Sequence, residues 1–271
     1  MLEMTADIAR AAGDAILEVY GDEDFGVETK DDDSPLTRAD LAAHHIIVGE
    51  LQRKFPDIPV LSEESAEIPF VERQKWHRYF LVDPLDGTKE FISRNGEFTV
   101  NIAFIEKGIP TLGVVHVPVQ GVTYLGDSTG AYRQRNGERV TIGARHLATR
   151  LQENKALTVV ASRRHGSEAM DTLMADLAGK FANIETTNMG SSLKLCLVAA
   201  GEADLYPRMA PTSEWDTAAA QAVVEAAGGQ VLDATLQPLR YNGKESLLNP
   251  YFYVLGDPEY PWKDILPGDA G

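Results

Sequence analysis

Two carboxylates three residues apart are the groups in this chain best placed to do chemistry. Asp83 and Asp86 follow an apolar run over 79–82, which predicts a buried strand that delivers both acids to its carboxyl edge. Gly87 then allows the backbone to approach a ligand closely, and Thr88 can begin a helix whose free N–H groups favour an anion. The segment suits a site where divalent cations meet a phosphate, and a strand closed by an ordinary Asp-Gly turn is the alternative.

Other acids lie where predicted elements begin or end. Asp40 falls in the first turn of a predicted helix, and the alternative for this acid is a favourable interaction with the helix dipole. Glu63 and Glu64 follow a short predicted strand, and the alternative for them is an ordinary solvated loop. Asp216 opens a predicted helix of small residues, where an N-cap role is the alternative. Carboxylates at element ends can converge, and Mg²⁺ takes carboxylates, a backbone carbonyl, waters and phosphate oxygens as ligands.

Composition and charge exclude several classes of protein. The 271 residues are 44% apolar and 24% charged, which is typical of a globular protein with a full core. The net charge of −16 argues against binding to nucleic acid and against docking on anionic lipid, since both need a positive surface. No apolar run approaches the roughly 18–20 residues of a membrane span, and the first residues show no secretory signal, so we expect a cytoplasmic protein. Cys196 is the single cysteine, which excludes an internal disulfide and indicates a buried structural thiol.

Hydrophobic periodicity predicts two halves that differ in their order of helices and strands. Up to about residue 150, two helices precede a β-meander punctuated by glycines, and strands and helices alternate afterwards. The predicted helices are 1–20, 37–55, 167–179, 191–200 and 216–227, and the predicted strands are 60–61, 79–82, 98–106, 111–117, 122–125, 131–134, 157–161, 203–206, 230–232 and 251–255. Residues 136–156 are predicted to be irregular. We expect an N-terminal α+β half, 1–150, and a C-terminal α/β half, 151–271, with the site in the crevice between them.

Three motifs together resemble a known family. Glu63-Glu64, the DPLDGT segment over 83–88 and the WDTA segment over 215–218 are similar to the signature segments of the inositol monophosphatase-like, lithium-inhibited, magnesium-dependent phosphatases, in the same order along nearly the whole chain. The longer runs 83–102, 190–194 and 205–208 resemble the 3′(2′),5′-bisphosphate nucleotidases within that superfamily. The resemblance implies a layered αβαβα sandwich of two packed halves.

The resemblance also implies roles for the acids. Two Mg²⁺ ions would be held by oxygen ligands that the motifs share: Glu63, Asp83, the carbonyl of Leu85, Asp86 and Asp216, with Asp83 common to both ions. Asp40 and Thr88 would orient and deprotonate the attacking water, and Glu64 would help at a more weakly held third ion. Li⁺ is expected to inhibit.

The implied substrate contacts surround the same acids. They comprise the metal ligands Glu63, Asp83 and Asp216, the amides of Gly87 and Thr88, and, on the nucleotide side, His165, Ser191, Lys194 and Arg208. Basic residues at this position fit a substrate that carries a second phosphate, because Arg binds phosphate in a bidentate geometry.

The implied reaction is hydrolysis of adenosine 3′,5′-bisphosphate to AMP and phosphate, with the 3′-phosphate of 3′-phosphoadenylyl sulfate as a second target. Two cations would neutralise the phosphomonoester dianion and lower the pKa of a bound water that attacks in line. Two alternatives stay open: an inositol- or sugar-phosphate phosphatase, and a non-catalytic protein that binds divalent cations or phosphate. The sequence also leaves open whether the protein is a monomer or a homodimer and whether it associates peripherally with the inner membrane.

Overall fold

The chain folds into helices and strands over residues 1–22, 25–29, 35–161 and 168–267, which are the residues that this computed structural model describes. The α-helices are α1 Leu2–Tyr20, α2 Arg38–Lys54, α3 Phe70–Arg73, α4 Thr88–Ile92, α5 Leu147–Gln152, α6 Glu168–Ala178, α7 Leu193–Ala199 and α8 Glu214–Ala226. The strands are β1 Glu28–Thr29, β2 Pro35–Leu36, β3 Val60–Ser62, β4 Arg78–Asp86, β5 Thr99–Glu106, β6 Ile109–Val117, β7 Val122–Asp127, β8 Gly130–Arg135, β9 Glu138–Ile142, β10 Leu157–Ala161, β11 Ile184–Asn188, β12 Leu205–Arg208, β13 Gln230–Asp233 and β14 Phe252–Leu255. None of the helices described is both long and apolar enough to cross a membrane.

Two large sheets organise these residues. The larger has the strand order β3-β4-β5-β6-β7-β8-β9, and the smaller has the order β11-β10-β12-β14-β13. Successive strands from β4 to β9 pair antiparallel, so the predicted β-meander is confirmed. β3 instead pairs in parallel with β4, which brings the carboxyl ends of both strands to the same edge of the sheet.

Several elements differ from the predicted pattern, including the short β1, β2 and α3, which fall where no element is predicted. Residues 136–156 are predicted to be irregular but contain β9 and α5, and β11 falls where no strand is predicted. β9 and β11 are the outer strands of their sheets, and most of their side chains are exposed, so neither strand carries the alternation of apolar residues that marks a half-buried strand. α5 buries only Leu147, which leaves no apolar stripe to detect.

Three hydrophobic cores separate the layers. The first lies between one face of the larger sheet and the pair α1 and α2. The second lies between the two sheets and is filled by α7 and α8. The third joins the other face of the smaller sheet to α5 and α6. The order helix–sheet–helix–sheet–helix confirms the expected αβαβα sandwich, while the boundary near residue 150 stays a prediction.

Central strands supply two cores at once, because neighbouring side chains of a strand point to opposite faces. On β4, Phe80 and Val82 lie in the first core, and Tyr79 and Leu81 lie in the second. The continuous apolar run over 79–82 is therefore a strand covered on both faces, which agrees with the prediction of a buried strand before the two acids.

Helix α8 lies very close to the larger sheet because two glycines face it. A Cβ at Gly113 of β6 would lie 2.0 Å from the carbonyl oxygen of Ala219, and one at Gly126 of β7 would lie 2.6 Å from the Cα of Val223. The absence of side chains at these positions sets the distance between α8 and the sheet. Since Asp216 lies in the first turn of α8, the same contact helps to place this acid.

Replacing Gly113 with Ala should lower the free energy of unfolding by at least about 1–3 kcal/mol, because overpacking costs this much even where the neighbour is not a backbone carbonyl. Gly49 is the matched control: it is exposed on α2 with nothing within 4 Å of a built Cβ, so Gly49→Ala should leave stability unchanged or raise it by up to about 1 kcal/mol. Urea denaturation measures both. A Gly113→Ala variant as stable as the wild type would contradict the close contact of α8 with β6.

Candidate active site

The end of β4 departs from regular pairing with β5. The register shifts between Asp83, which lies opposite Asn101, and Asp86, which lies opposite Thr99. Asp83 Oδ1 accepts a hydrogen bond from the N–H of Leu85 at 3.0 Å, which holds the turn between the two acids. The irregularity lets both carboxylates reach the same space, with oxygen atoms within 4.8 Å of each other.

Capping boxes at the starts of α2 and α8 fix two further acids. At α2 the N–H of the N-cap Thr37 donates to Asp40 Oδ2 at 2.7 Å, and at α8 the N–H of the N-cap Ser213 donates to Asp216 Oδ2 at 2.9 Å. The alternative N-cap role for Asp216 is therefore wrong, because the helix begins two residues earlier, at Glu214, and the acid occupies its third position. A Ser or Thr followed three residues later by Asp is a sequence signal that places both acids.

Asp83, Asp86 and Asp216 form an acidic cluster in which each residue offers a carboxylate oxygen within 4.8 Å of the others. Burial raises the pKa of Asp83 well above its ordinary value, and the charges of Glu63, Asp86 and Asp216 raise it further. Burial and then the charge of Asp86 raise the pKa of Asp216 in the same direction. Burial also raises the pKa of Asp86, although the ammonium of Lys194 opposes the rise. The ionised acids repel one another at this short separation.

Glu63 and Glu64 lie at the same edge of the sheet, on the 3₁₀ helix Glu63–Ser65 that directly follows β3. Glu63 raises the pKa of Asp83 through its charge and through a side-chain hydrogen bond, which puts it beside the acidic cluster. The charges of Glu64 and then Glu63 also raise the pKa of Asp40. Glu63 therefore acts on both the acidic cluster and Asp40.

Asp40 and Thr88 meet from two different helices. Thr88 begins α4 directly after Gly87, whose φ of +95° lies in the left-handed region that favours glycine. The Thr88 hydroxyl lies 3.3 Å from Asp40 Oδ1 and 3.4 Å from the carbonyl oxygen of Leu85. Burial raises the pKa of Asp40 to about 6, and the hydrogen bonds from Thr37 oppose the rise. A hydroxyl beside such a carboxylate can hold a water molecule and relay its proton.

The acidic cluster fits a hard divalent cation. Its three members and the adjacent Glu63 all offer oxygen atoms, which are the ligands that Mg²⁺ prefers. A cation there would offset the repulsion and the burial that raise these pKa values, so it would favour the ionised carboxylates that bind it.

A cavity of about 400 Å³ opens beside the acidic cluster. Asp86 and Asp216 contribute acids to its lining, and Lys194 and Arg208 contribute cations. The other lining residues are mostly small, polar or aromatic: Gly87, Lys89, Glu90, Met189, Gly190, Ser191, Ser192, Leu195, Tyr206, Thr212, Thr217 and Phe252. A cavity with both charges suits a small ligand that meets bound cations at one end and a basic side chain at the other.

Lys194 is a nearly buried cation, with only 7% of the residue exposed. Its Nζ donates to the carbonyl oxygen of Met189 at 3.4 Å and lies 5.8 Å from the ring centroid of Tyr206. Burial lowers the pKa of Lys194 to about 8, and the charge of Asp86 offsets part of this effect. An ammonium in such surroundings gains from an anionic ligand that completes its contacts.

Arg208 is held in one orientation by its own loop. Its Nε and one terminal nitrogen donate to the carbonyl oxygens of Ala210 and Pro211 at 3.1 and 3.0 Å. Ser191, at the same cavity, has a left-handed backbone with φ of +47°, and its hydroxyl accepts from the N–H of Leu193 at 3.4 Å. The structure thus brings Ser191, Lys194 and Arg208 together, whereas His165 lies outside the described residues.

Lys89, Tyr206 and Phe252 are among the cavity residues that the sequence-based prediction did not name. Lys89 directly follows Thr88 and adds a third cation, so a charge next to the predicted anion-binding turn is a signal that could have found it. Tyr206 and Phe252 have their rings 5.9 Å apart, and only the antiparallel pairing of β12 with β14 brings them together. No local pattern distinguishes them from ordinary core residues.

Comparison with known proteins agrees with this geometry. The sequence matches the inositol monophosphatase family over residues 1–255. It is 49% identical over 255 residues to a protein of Escherichia coli (strain K12) named 3′(2′),5′-bisphosphate nucleotidase CysQ, covering 94% of this chain and 99% of that protein.

Solved structures give the same result. The crystal structure of CysQ from Bacteroides thetaiotaomicron has a TM-score of 0.79 and 45% sequence identity, covering 93% of this chain and 96% of that chain. The inositol monophosphatase (IMPase) of Thermotoga maritima has a TM-score of 0.74 and 25% identity, covering 94% of this chain and 91% of that chain. The chain therefore belongs to the inositol monophosphatase family of metal-dependent phosphatases, as the resemblance of its motifs predicts.

Proposed function

We propose that this chain is a Mg²⁺-dependent phosphomonoesterase that hydrolyses adenosine 3′,5′-bisphosphate to AMP and phosphate. The observation that carries the proposal is that acids and cations line one cavity, with Asp86 and Asp216 among the acids and Lys194 and Arg208 among the cations. A substrate with two phosphates matches this lining, because one phosphate can meet cations held by the acids and the other can meet the basic side chains; the name of the Escherichia coli relative agrees with this substrate. We expect 3′-phosphoadenylyl sulfate to be a second substrate, because its 5′ side is also anionic.

Five residues would hold two Mg²⁺ ions through oxygen donors, four at the edge where β3 and β4 end and one in the first turn of α8: Glu63, Asp83, the Leu85 carbonyl, Asp86 and Asp216, with Asp83 common to both ions. Glu64 is placed for a third, more weakly held ion. When bound, the ions supply positive charge for the phosphate dianion and lower the pKa of a coordinated water. We expect Li⁺ to inhibit by occupying one of these positions.

Asp40 and Thr88 carry the proton chemistry in this proposal. The Thr88 hydroxyl can accept a hydrogen bond from the attacking water while it donates to Asp40 Oδ1, so the water is oriented toward the phosphorus. Because the pKa of Asp40 is raised to about 6, the carboxylate is ionised near neutral pH yet basic enough to take the proton. The amides of Gly87 and Thr88 would hold the phosphate oxygens.

The basic end would hold the part of the nucleotide that does not react. Ser191, Lys194 and Arg208 are placed to contact the second phosphate and the ribose, and the role of His165 stays a prediction. The substrate is a free small molecule, since a net charge of −16 disfavours nucleic acid. A cytoplasmic location and a monomeric or homodimeric state are also part of the proposal.

Steady-state assays with Mg²⁺ test the substrate directly. The wild type should hydrolyse adenosine 3′,5′-bisphosphate with a higher kcat/KM than inositol monophosphate. Arg208→Ala removes a charge-assisted hydrogen bond worth about 1.5–3 kcal/mol. The variant should therefore lose roughly 10- to 150-fold in kcat/KM on the bisphosphate, since about 1.36 kcal/mol is tenfold, and much less on the monophosphate.

Arg53→Ala is the matched control, because Arg53 is an exposed arginine of α2 that pairs only with Glu50 of its own helix among the contacts described. It should leave both substrates unaffected. A wild type that prefers inositol monophosphate, with Arg208→Ala impairing both substrates equally, would replace the nucleotidase proposal by a general sugar-phosphate phosphatase. No turnover of either substrate with Mg²⁺ would favour a non-catalytic binding protein.

Thr88→Ala should lower kcat by roughly 10²–10⁴-fold, the usual range for a lost general acid–base contribution. The Mg²⁺ concentration that gives half-maximal activity should change little, because the hydroxyl positions water rather than the cation. Thr88→Ser keeps the hydroxyl and should retain most of the activity. Unchanged kcat in Thr88→Ala would remove this residue from the proposed mechanism.

A further inference from the structure

Three buried polar side chains, Thr99, Asn101 and Ser192, form a closed ring of hydrogen bonds, which we call the polar ring. Asn101 Nδ2 donates to Thr99 Oγ1 at 3.3 Å, the hydroxyls of Thr99 and Ser192 are 2.8 Å apart, and Ser192 Oγ donates to Asn101 Oδ1 at 2.8 Å. Each hydroxyl has one proton, so the three bonds are filled together when Asn101 donates to Thr99, Thr99 to Ser192 and Ser192 to Asn101. All three residues are buried, with none more than 2% exposed.

The polar ring is joined to one member of the acidic cluster. The N–H of Ser192 donates to Asp86 Oδ2, and the Thr99 hydroxyl lies 3.4 Å from the same oxygen. Thr99 is also the register partner of Asp86 across β4 and β5. The backbone N–H of Ser192 makes the shorter of these two contacts, so Asp86 is held chiefly by the segment that precedes α7.

The polar ring is also joined to the basic end of the cavity. Lys194 follows Ser192 by two residues, in the first turn of α7, and its Nζ donates to the carbonyl oxygen of Met189. The same segment is fixed by the N–H of Gly190, which donates to Glu97 Oε2 at 2.7 Å. A Cβ at Gly190 would lie 2.9 Å from the carbonyl oxygen of Glu97, so the two chain segments touch. A shift of Ser192 would carry Lys194 with it.

We propose that the polar ring acts as a spacer that fixes the separation between Asp86 and Lys194, and that this separation makes the cavity selective for ligands with two anionic groups. Thr99 and Asn101 are not among the residues that line the cavity, so they are positioning residues that act through Ser192. This inference rests on the proposed function, because it assigns the reacting phosphate to the acidic cluster and the second phosphate to Lys194.

A spacer has a consequence that a purely structural hydrogen-bond ring lacks. A substrate with one phosphate needs only the groups at the acidic cluster, so it tolerates a shift of Lys194. A substrate with two phosphates must satisfy both ends at once, and a misplacement of about 1 Å can cost roughly 100-fold in rate. Loosening the polar ring should therefore affect the bisphosphate selectively.

Thr99→Val and Thr99→Ser form a matched pair that tests this. Valine keeps the shape and the preference for a strand but removes the hydroxyl, which leaves Ser192 and Asn101 without one partner each, whereas serine keeps the hydroxyl. We expect Thr99→Val to lower kcat/KM for adenosine 3′,5′-bisphosphate by roughly 10- to 100-fold, mainly through KM, and to change that for inositol monophosphate less than about 3-fold. Thr99→Ser should stay within about 3-fold of the wild type on both substrates, because the ring is intact.

Two further measurements separate a spacer from a general loss of structure. The Mg²⁺ concentration for half-maximal activity should be unchanged in Thr99→Val, since the N–H of Ser192 still donates to Asp86. If Thr99→Val does not fold, Thr99→Ala opens the same ring with a smaller side chain, with the same selective loss expected. An equal loss of kcat/KM on both substrates, or no loss on the bisphosphate in a folded variant, would contradict the proposal that the polar ring is a spacer.

The wild-type assay keeps this test separate from that of the proposed function. If the wild type prefers inositol monophosphate, the proposed function fails before any variant is compared, and the spacer fails with it. If the wild type prefers the bisphosphate but Thr99→Val keeps the wild-type ratio of the two kcat/KM values, the proposed function stands and only the spacer is wrong.

Discussion

Repulsion between carboxylates held close together is the constraint on which the rest of the site depends. Asp83, Asp86 and Asp216 bring oxygen atoms within 4.8 Å of one another, and burial raises the pKa of each of them. Such a cluster costs stability as long as its members are ionised without a cation. A fold that keeps this cluster must hold each acid rigidly through contacts outside the cluster. The folded state then gains stability when a cation binds.

The layered architecture supplies that rigidity from several directions. β4 ends in an irregular turn that presents Asp83 and Asp86, while a capping box presents Asp216 from α8, which two glycines allow to lie against the larger sheet. α8 belongs to the layer between the two sheets, so its first turn faces the edge where β3 and β4 end. Asp40 is held by a second capping box and meets Thr88 outside the cluster. The acidic cluster and the Asp40–Thr88 pair therefore rest on different elements.

Much of this arrangement could be predicted from the sequence, because its signals are local. The apolar run before Asp83, the helix starts near Asp40 and Asp216 and the glycine-punctuated meander all follow from short-range periodicity and end residues. β9 and β11 were not predicted, because exposed edge strands bury too little to show a pattern. The polar ring and the pairing of Tyr206 with Phe252 depend on contacts between residues far apart in the chain, which no local pattern encodes.

Thermal unfolding with and without Mg²⁺ at several pH values tests the central claim most directly. The pKa values of the cluster are raised in the folded state. Without divalent cations, the folded protein is therefore more stable at low pH, where these acids are protonated, and it loses this stability as the pH rises through the raised pKa values. At pH 8, Mg²⁺ at about 100 times its Kd should raise the Tm by roughly 5–10 °C, and the increment should shrink as the pH falls. Asp83→Asn should be at least as stable as the wild type without Mg²⁺ and should gain far less from it. An equal Tm increment in the wild type and Asp83→Asn, or none in the wild type, would contradict the account.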